Sequence, residues 1–160
     1  MKLNDLTLIP AALLTALMAG VFFSYSVSVS LGLGNLSTKE YLHAMQNINR
    51  EIQNPLFFIC FFGSLGMLLI GSYFQYKQDS VICLPIAALV YLVGVFLVTV
   101  LVHIPLNKQL ELFDSAKSTE ITAKDLRNMF ESSWNFWNNV RTIASVISLF
   151  FVILGCIFKK

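Results

Sequence analysis

His103, Asn107, Trp134, Trp137, Asn138 and Arg141 are the residues of this chain whose types and spacing could do chemistry. An imidazole moves protons near neutral pH. A guanidinium and carboxamides donate hydrogen bonds to oxygen anions, and indoles offer flat faces to other rings. Trp134, Asn138, Arg141 and Ser145 follow at four-three-four spacing, so they share one face of a helix. His103 and Asn107 are four apart and face one way if their helix continues. Gln46 and Asn49 add uncharged polar groups from an earlier segment. Each residue has a plainer reading as well: indoles as interfacial anchors, the arginine reaching toward headgroups, the histidine and asparagine at helix ends. A one-sided row of Asn, Trp and Arg entering an apolar helix nevertheless predicts a pocket whose mouth opens at a membrane interface.

Other chemistries find less support. The chain has only two histidines, His43 and His103, and no carboxylate lies inside its apolar runs, so no metal site is expected. A haem held by both histidines stays open as an alternative, as does a bound quinone. The apolar runs lack lysine, which argues against a Schiff base. No glycine-rich phosphate loop and no Gly-x-Ser-x-Gly elbow occurs. Cys60, Cys83 and Cys156 are odd in number and form no Cys-x-x-Cys, which makes them packing residues.

The elements that must position these side chains are membrane helices. Of the 160 residues, 56% are hydrophobic and 12% charged, about half the charged share of a soluble domain. A span needs about 20 mostly apolar residues. Four segments qualify, at about 6–33, 56–76, 81–104 and 140–158. The first is too long for a signal peptide and lacks an Ala-x-Ala site, so it reads as a retained span. The expected fold is all-α, a single domain over 1–160: an integral membrane four-helix bundle, with amphipathic helical segments in the two long connections on one face.

The first of these segments, 37–53, opens with a capping box, Ser37 and Glu40, and carries an apolar stripe of Tyr41, Met45, Ile48 and Ile52. The second follows Pro105, which favours a kink or break, and a loop over 114–122. Thr122 with Asp125 offers the next helix start, and that helix is expected to run on into the fourth span. In the first span Ala12, Ala16, Gly20, Ser24, Ser28 and Gly32 recur every four residues. Such a stripe suits close packing, within the bundle or against a second copy in a homo-oligomer. Its serines, Ser24 and Ser28, would alternatively line a ligand cavity. Lys2, Lys77, Lys159 and Lys160 crowd the terminal face, which by density places both termini in the cytoplasm. A net charge of +2 without a basic cluster gives no reason to expect a nucleic-acid partner.

Several of these residues carry a family resemblance. Ala19-Gly20 with its aromatic-serine run, Met45-Gln46-x-Ile48-Asn49, Thr99 leading into Ile104-Pro105-Leu106-Asn107-x-x-Leu110, and Trp137-Asn138-x-x-Arg141-Thr142 occur in this order. The whole resembles the anthrone oxygenase-like family of small four-span membrane proteins, mostly bacterial. The resemblance implies an oxidoreductase of the bacterial inner membrane that binds an apolar aromatic or quinone-like molecule and oxygenates it without a cofactor. It makes His103 the base, with Arg141, Asn107 and Asn138 stabilising an oxyanion and Trp134 and Trp137 stacking on the substrate. Gln46, Asn49, Ser24 and Ser28 complete the expected binding set. The alternative is a non-enzymatic module holding a lipid, a quinone or a partner helix. Transport ranks last, because the polar residues gather at one end.

Overall fold

The computed structural model describes residues 3–77, 82–114 and 117–158. Lys2, Lys159 and Lys160, most of the turn expected at 77–80 and part of the 114–122 loop lie outside the described residues. The helices are α1 over 3–34, α2 (Thr38–Glu51), α3 (Pro55–Lys77), α4 (Cys83–Glu111) and α5 (Glu120–Ile157). Four of them, α1, α3, α4 and α5, are long and apolar enough to cross a membrane. This is the expected all-α bundle. Helices satisfy their own backbone groups, as lipid requires.

The helix starts are fixed by short-range bonds. At α2, Ser37 and Glu40 form the expected box: the Ser37 amide donates to Glu40 Oε2 at 3.1 Å. These bonds hold the exposed Glu40 carboxyl below its usual range. Asn54 Oδ1 accepts from the Phe57 amide at 3.0 Å where α3 begins. The α5 start differs from expectation. Thr119, not Thr122, is the cap, accepting from the Thr122 amide at 3.2 Å, so the helix begins three residues earlier. The third span also outruns its predicted end, because Pro105 does not break it. Just upstream, the backbone widens into π-helical turns over Leu92–Leu97 and Thr99–His103, and the Ile104 amide bonds Thr99 O, five residues back. The wider turn gives the pyrrolidine ring room, and α4 continues to Glu111.

The four spans close a ring in which α1 touches α3 and α5, and α4 touches both of them again. Met18 and Phe22 of α1, Phe61 and Leu68 of α3, Leu84, Tyr91 and Val95 of α4, and Val152 of α5 fill its interior. The closest approach is between α4 and α5. There a Cβ added at Gly94 would collide with Ala144, and Ser148 Oγ donates to Ala87 O at 2.9 Å. The small-residue stripe of α1 takes no part in this. Ala16, Gly20, Ser24, Ser28 and Gly32 are exposed on the outer face, in part as a shallow groove. The buried face of α1 carries Leu8, Ala11, Thr15, Met18 and Phe22, whose bulk gives the interior more contact than a glycine stripe does.

At the end carrying the long connections, α2 lies over the bundle. Its buried face is Tyr41, Leu42, Met45, Gln46 and Asn49, rotated from the predicted stripe; Ile48 and Ile52 are half-buried. With Leu110, Ala123, Phe130 and Trp134 these form a second core. Arg127 of α5 donates to Gly34 O at 2.8 Å and Leu36 O at 2.7 Å, capping the end of α1.

Gly94→Ala should overpack the α4–α5 crossing and cost about 1–3 kcal/mol, whereas Gly20→Ala, which meets only open space, should cost almost nothing. Thermal unfolding of the two variants in detergent measures the difference.

Candidate functional site

Where α2 covers the bundle, a cavity of about 520 Å³ opens between the spans. α1 contributes Phe22 and Tyr25, and α2 contributes Ile48, Asn49 and Ile52. Phe57, Phe58, Phe61 and Phe62 of α3 form one wall. Opposite stand Thr99, His103 and Asn107 of α4, with Trp134, Asn138 and Arg141 of α5 at the inner end. Both π-helical regions border it: Tyr25 opens the π turn of α1, Tyr25–Val29, and His103 closes that of α4.

The predicted α5 face is present. Trp134, Asn138, Arg141 and Ser145 are all buried. Arg141 does not extend to the headgroups. It is 6% exposed, with its guanidinium 4.5 Å from the centre of the Phe22 ring and 5.4 Å from that of Trp134. Nη2 donates to Asn138 Oδ1 at 2.8 Å, and Nη1 to Thr99 Oγ1 at a long 3.4 Å. Nε has no partner, and no carboxylate pairs with Arg141 among the described residues. Five N–H groups in a fork with only two engaged, and a buried charge with no counterion, make an acceptor for an anionic oxygen.

Asn138 is committed to the protein. Its Nδ2 donates to Ser26 Oγ at 2.9 Å and to Phe22 O at 3.3 Å, while Oδ1 accepts from Arg141. It lines the cavity, but its donors are used, so it orients Arg141 instead of supplying an oxyanion donor of its own. Asn107 Oδ1 accepts from Trp134 Nε1 at 3.1 Å, which leaves its Nδ2 free to meet a ligand. The Trp134 ring lies 4.4 Å from Tyr25 and stands edge-on to His103 at 5.0 Å. His103 is 1% exposed, and neither ring nitrogen makes a hydrogen bond of good geometry, although Val98 and Trp134 carbonyls lie nearby. Asn49 Nδ2 is likewise buried and unpartnered among the described residues.

Of the residues singled out in the sequence, Asn49, His103, Asn107, Trp134, Asn138 and Arg141 meet at this cavity. Gln46 does not line it; Nε2 donates to Leu110 O at 2.9 Å and Phe113 O at 3.0 Å, pinning α2 to the end of α4. Trp137 sits half-buried on another face of α5, edge-on to Phe136. Ser24 and Ser28 lie on the outer side of α1, and Ser24 Oγ donates to Val21 O. His43 is exposed on α2 and does not approach His103 at the cavity. No three His, Cys, Asp or Glu side chains gather into a metal-holding group among the described residues. Sequence reasoning missed Phe22, Tyr25 and the phenylalanine wall. The Phe57-Phe58 and Phe61-Phe62 pairs, four apart in one helix, were the available signal.

No curated protein and no solved structure matches the chain. The family model described as anthrone oxygenase matches residues 49–151, well over half of the chain and every polar cavity residue except Tyr25. A membrane four-helix bundle whose cavity residues fall within that match, this chain belongs to the anthrone oxygenase family.

Proposed function

We propose that the cavity binds a flat, mostly apolar aromatic molecule with an ionisable oxygen, and that the protein oxygenates it without a cofactor, as an anthrone becomes an anthraquinone. The observation that carries this reading is the buried Arg141, which lines an apolar cavity with no counterion among the described residues. The methylene of an anthrone is acidic because its carbanion is also an aromatic phenolate. In this reading His103 removes the proton, and the new oxyanion lies against Arg141 and Asn107 Nδ2. Fixed donors in a site without water stabilise such a charge better than bulk water does. Dioxygen adds to the electron-rich carbon, and His103 returns its proton to the resulting peroxide. Loss of water leaves the carbonyl, so one anthrone and one O₂ give one quinone and one water.

A non-enzymatic holder of lipid or quinone is the second reading, favoured by the exposed apolar rim of the cavity. Gentle purification discriminates: a stoichiometric extracted lipid with no turnover supports the holder. The lysine density at the terminal end puts both termini in the cytoplasm of a bacterial inner membrane. A C-terminal reporter that works only in the cytoplasm should then be active.

Arg141→Ala and Asn107→Ala should each lower O₂ uptake with an anthrone by about a hundredfold to a thousandfold while the protein stays folded in detergent. Full turnover in both would reject the oxygenase reading. Arg141→Met, by contrast, should melt no lower than the parent, because it replaces a buried unpaired charge by an apolar chain of similar length. A scan of unfolding temperature checks this.

A further inference from the structure

The route into the cavity can be read from its walls. α3 and α4 pack tightly near their short connection, where Tyr91 donates to Phe61 O at 3.1 Å. The last shared layer is Phe96 against Phe61 and Phe62, at ring distances of 5.6 and 6.1 Å. Beyond it the two helices part. The gap is edged by Phe58 and Phe62 on α3 and by Val100 and Ile104 on α4. All four line the cavity, and all four are exposed on the outer surface, at 41%, 55%, 38% and 42%. Phe62 lies seven residues into a span, about 10 Å along its axis, where the outer surface meets lipid. At its far end the same opening reaches Gln53, Lys108 and Glu111. The slot therefore grades from hydrocarbon to headgroup level.

The cavity roof is held differently. Arg50 and Glu111 pair at 2.6 Å across α2 and α4, half-exposed, which contributes little. Gln46 contributes more: it is buried, and its two bonds satisfy carbonyls at and just past the end of α4 that would otherwise be orphaned. Lifting the roof breaks these bonds. Widening the side slot breaks only apolar contacts, and lipid tails replace those with little loss.

We propose that the ligand enters sideways from the bilayer, between α3 and α4, and is a lipid-dissolved amphiphile that leads with its ionisable oxygen toward Arg141. This rests on the reading that the cavity binds a small molecule.

The test uses phosphatidylcholine vesicles containing the full chain with Trp137→Phe, which leaves Trp134 as the sole indole. Stopped-flow quenching by 1,8-dihydroxyanthraquinone follows arrival at the cavity. In the narrowed slot, Val100→Phe with Ile104→Phe, quenching should slow by about tenfold. In the widened slot, Phe62→Ala, it should accelerate. Removing the roof pair with Arg50→Ala and Glu111→Ala should leave the rate unchanged. Rates indifferent to both slot variants but faster without the roof pair would overturn the lateral route and leave binding intact. Absence of quenching in the parent would overturn the binding reading, and the route with it.

Discussion

Burying one guanidinium without a carboxylate is the constraint around which the rest of the bundle is arranged. Desolvating such a charge costs several kcal/mol even after relaxation, and inside a membrane it is tolerated only where neighbours receive it. Here three spans contribute. α5 supplies Arg141 itself and Asn138, α1 fixes Asn138 through Ser26 and the Phe22 carbonyl, and α4 offers Thr99. The Phe22 and Trp134 rings compensate in part through their faces. None of these groups carries a negative charge. The site is therefore electrostatically incomplete, and an anionic oxygen within it would gain from a field built before it arrives.

The backbone reaches that arrangement by departing from the regular α-helix in two places. A π-helical turn carries one extra residue, which rotates everything after it by about 100° relative to an unbroken helix. In α1 the turn lies at Tyr25–Val29, so that Tyr25 and Ser26 turn toward Trp134 and Asn138. In α4 the π-helical stretch precedes Pro105 and delivers His103 and Asn107 to the same cavity. Pro105 thus marks where the widened backbone ends.

This explains which parts of the structure could be read from the sequence. The spans, the Ser37–Glu40 box and the α5 face depend on local composition and on regular 3.6-residue periodicity, and the structure has them as expected. The residues at the cavity were legible where a single helix repeats: Trp134, Asn138 and Arg141. What failed depended on choices between faces. The α1 stripe is small-residue on one side and bulky on the other, and either side can pack when lipid is no more polar than the core. The α2 stripe was misplaced because Gln46 and Asn49 count as polar by type, yet Gln46 is buried by bonding to helix-end carbonyls. π-helical turns leave no hydrophobic signature at all, so Phe22 and Tyr25 could not be assigned inward.

The length of α5 gives the site its depth. Its 38 residues extend about 57 Å, nearly twice the roughly 30 Å of hydrocarbon. About half of α5 therefore stands beyond the lipid tails, where α2 and the end of α4 pack against it through Tyr41, Leu42, Met45 and Phe130. Arg141 falls near the boundary between the two halves. A guanidinium at that level would ordinarily turn outward to water, but the second core and Trp134 lie on that side. The cap thus withholds water from a charge that sits close to it, while the α3–α4 gap leaves the same charge within reach of molecules dissolved in lipid. A charge placed deeper would cost more to fold, and one placed in the headgroups would be screened; the boundary is where a cation can stay both ionised and unsatisfied.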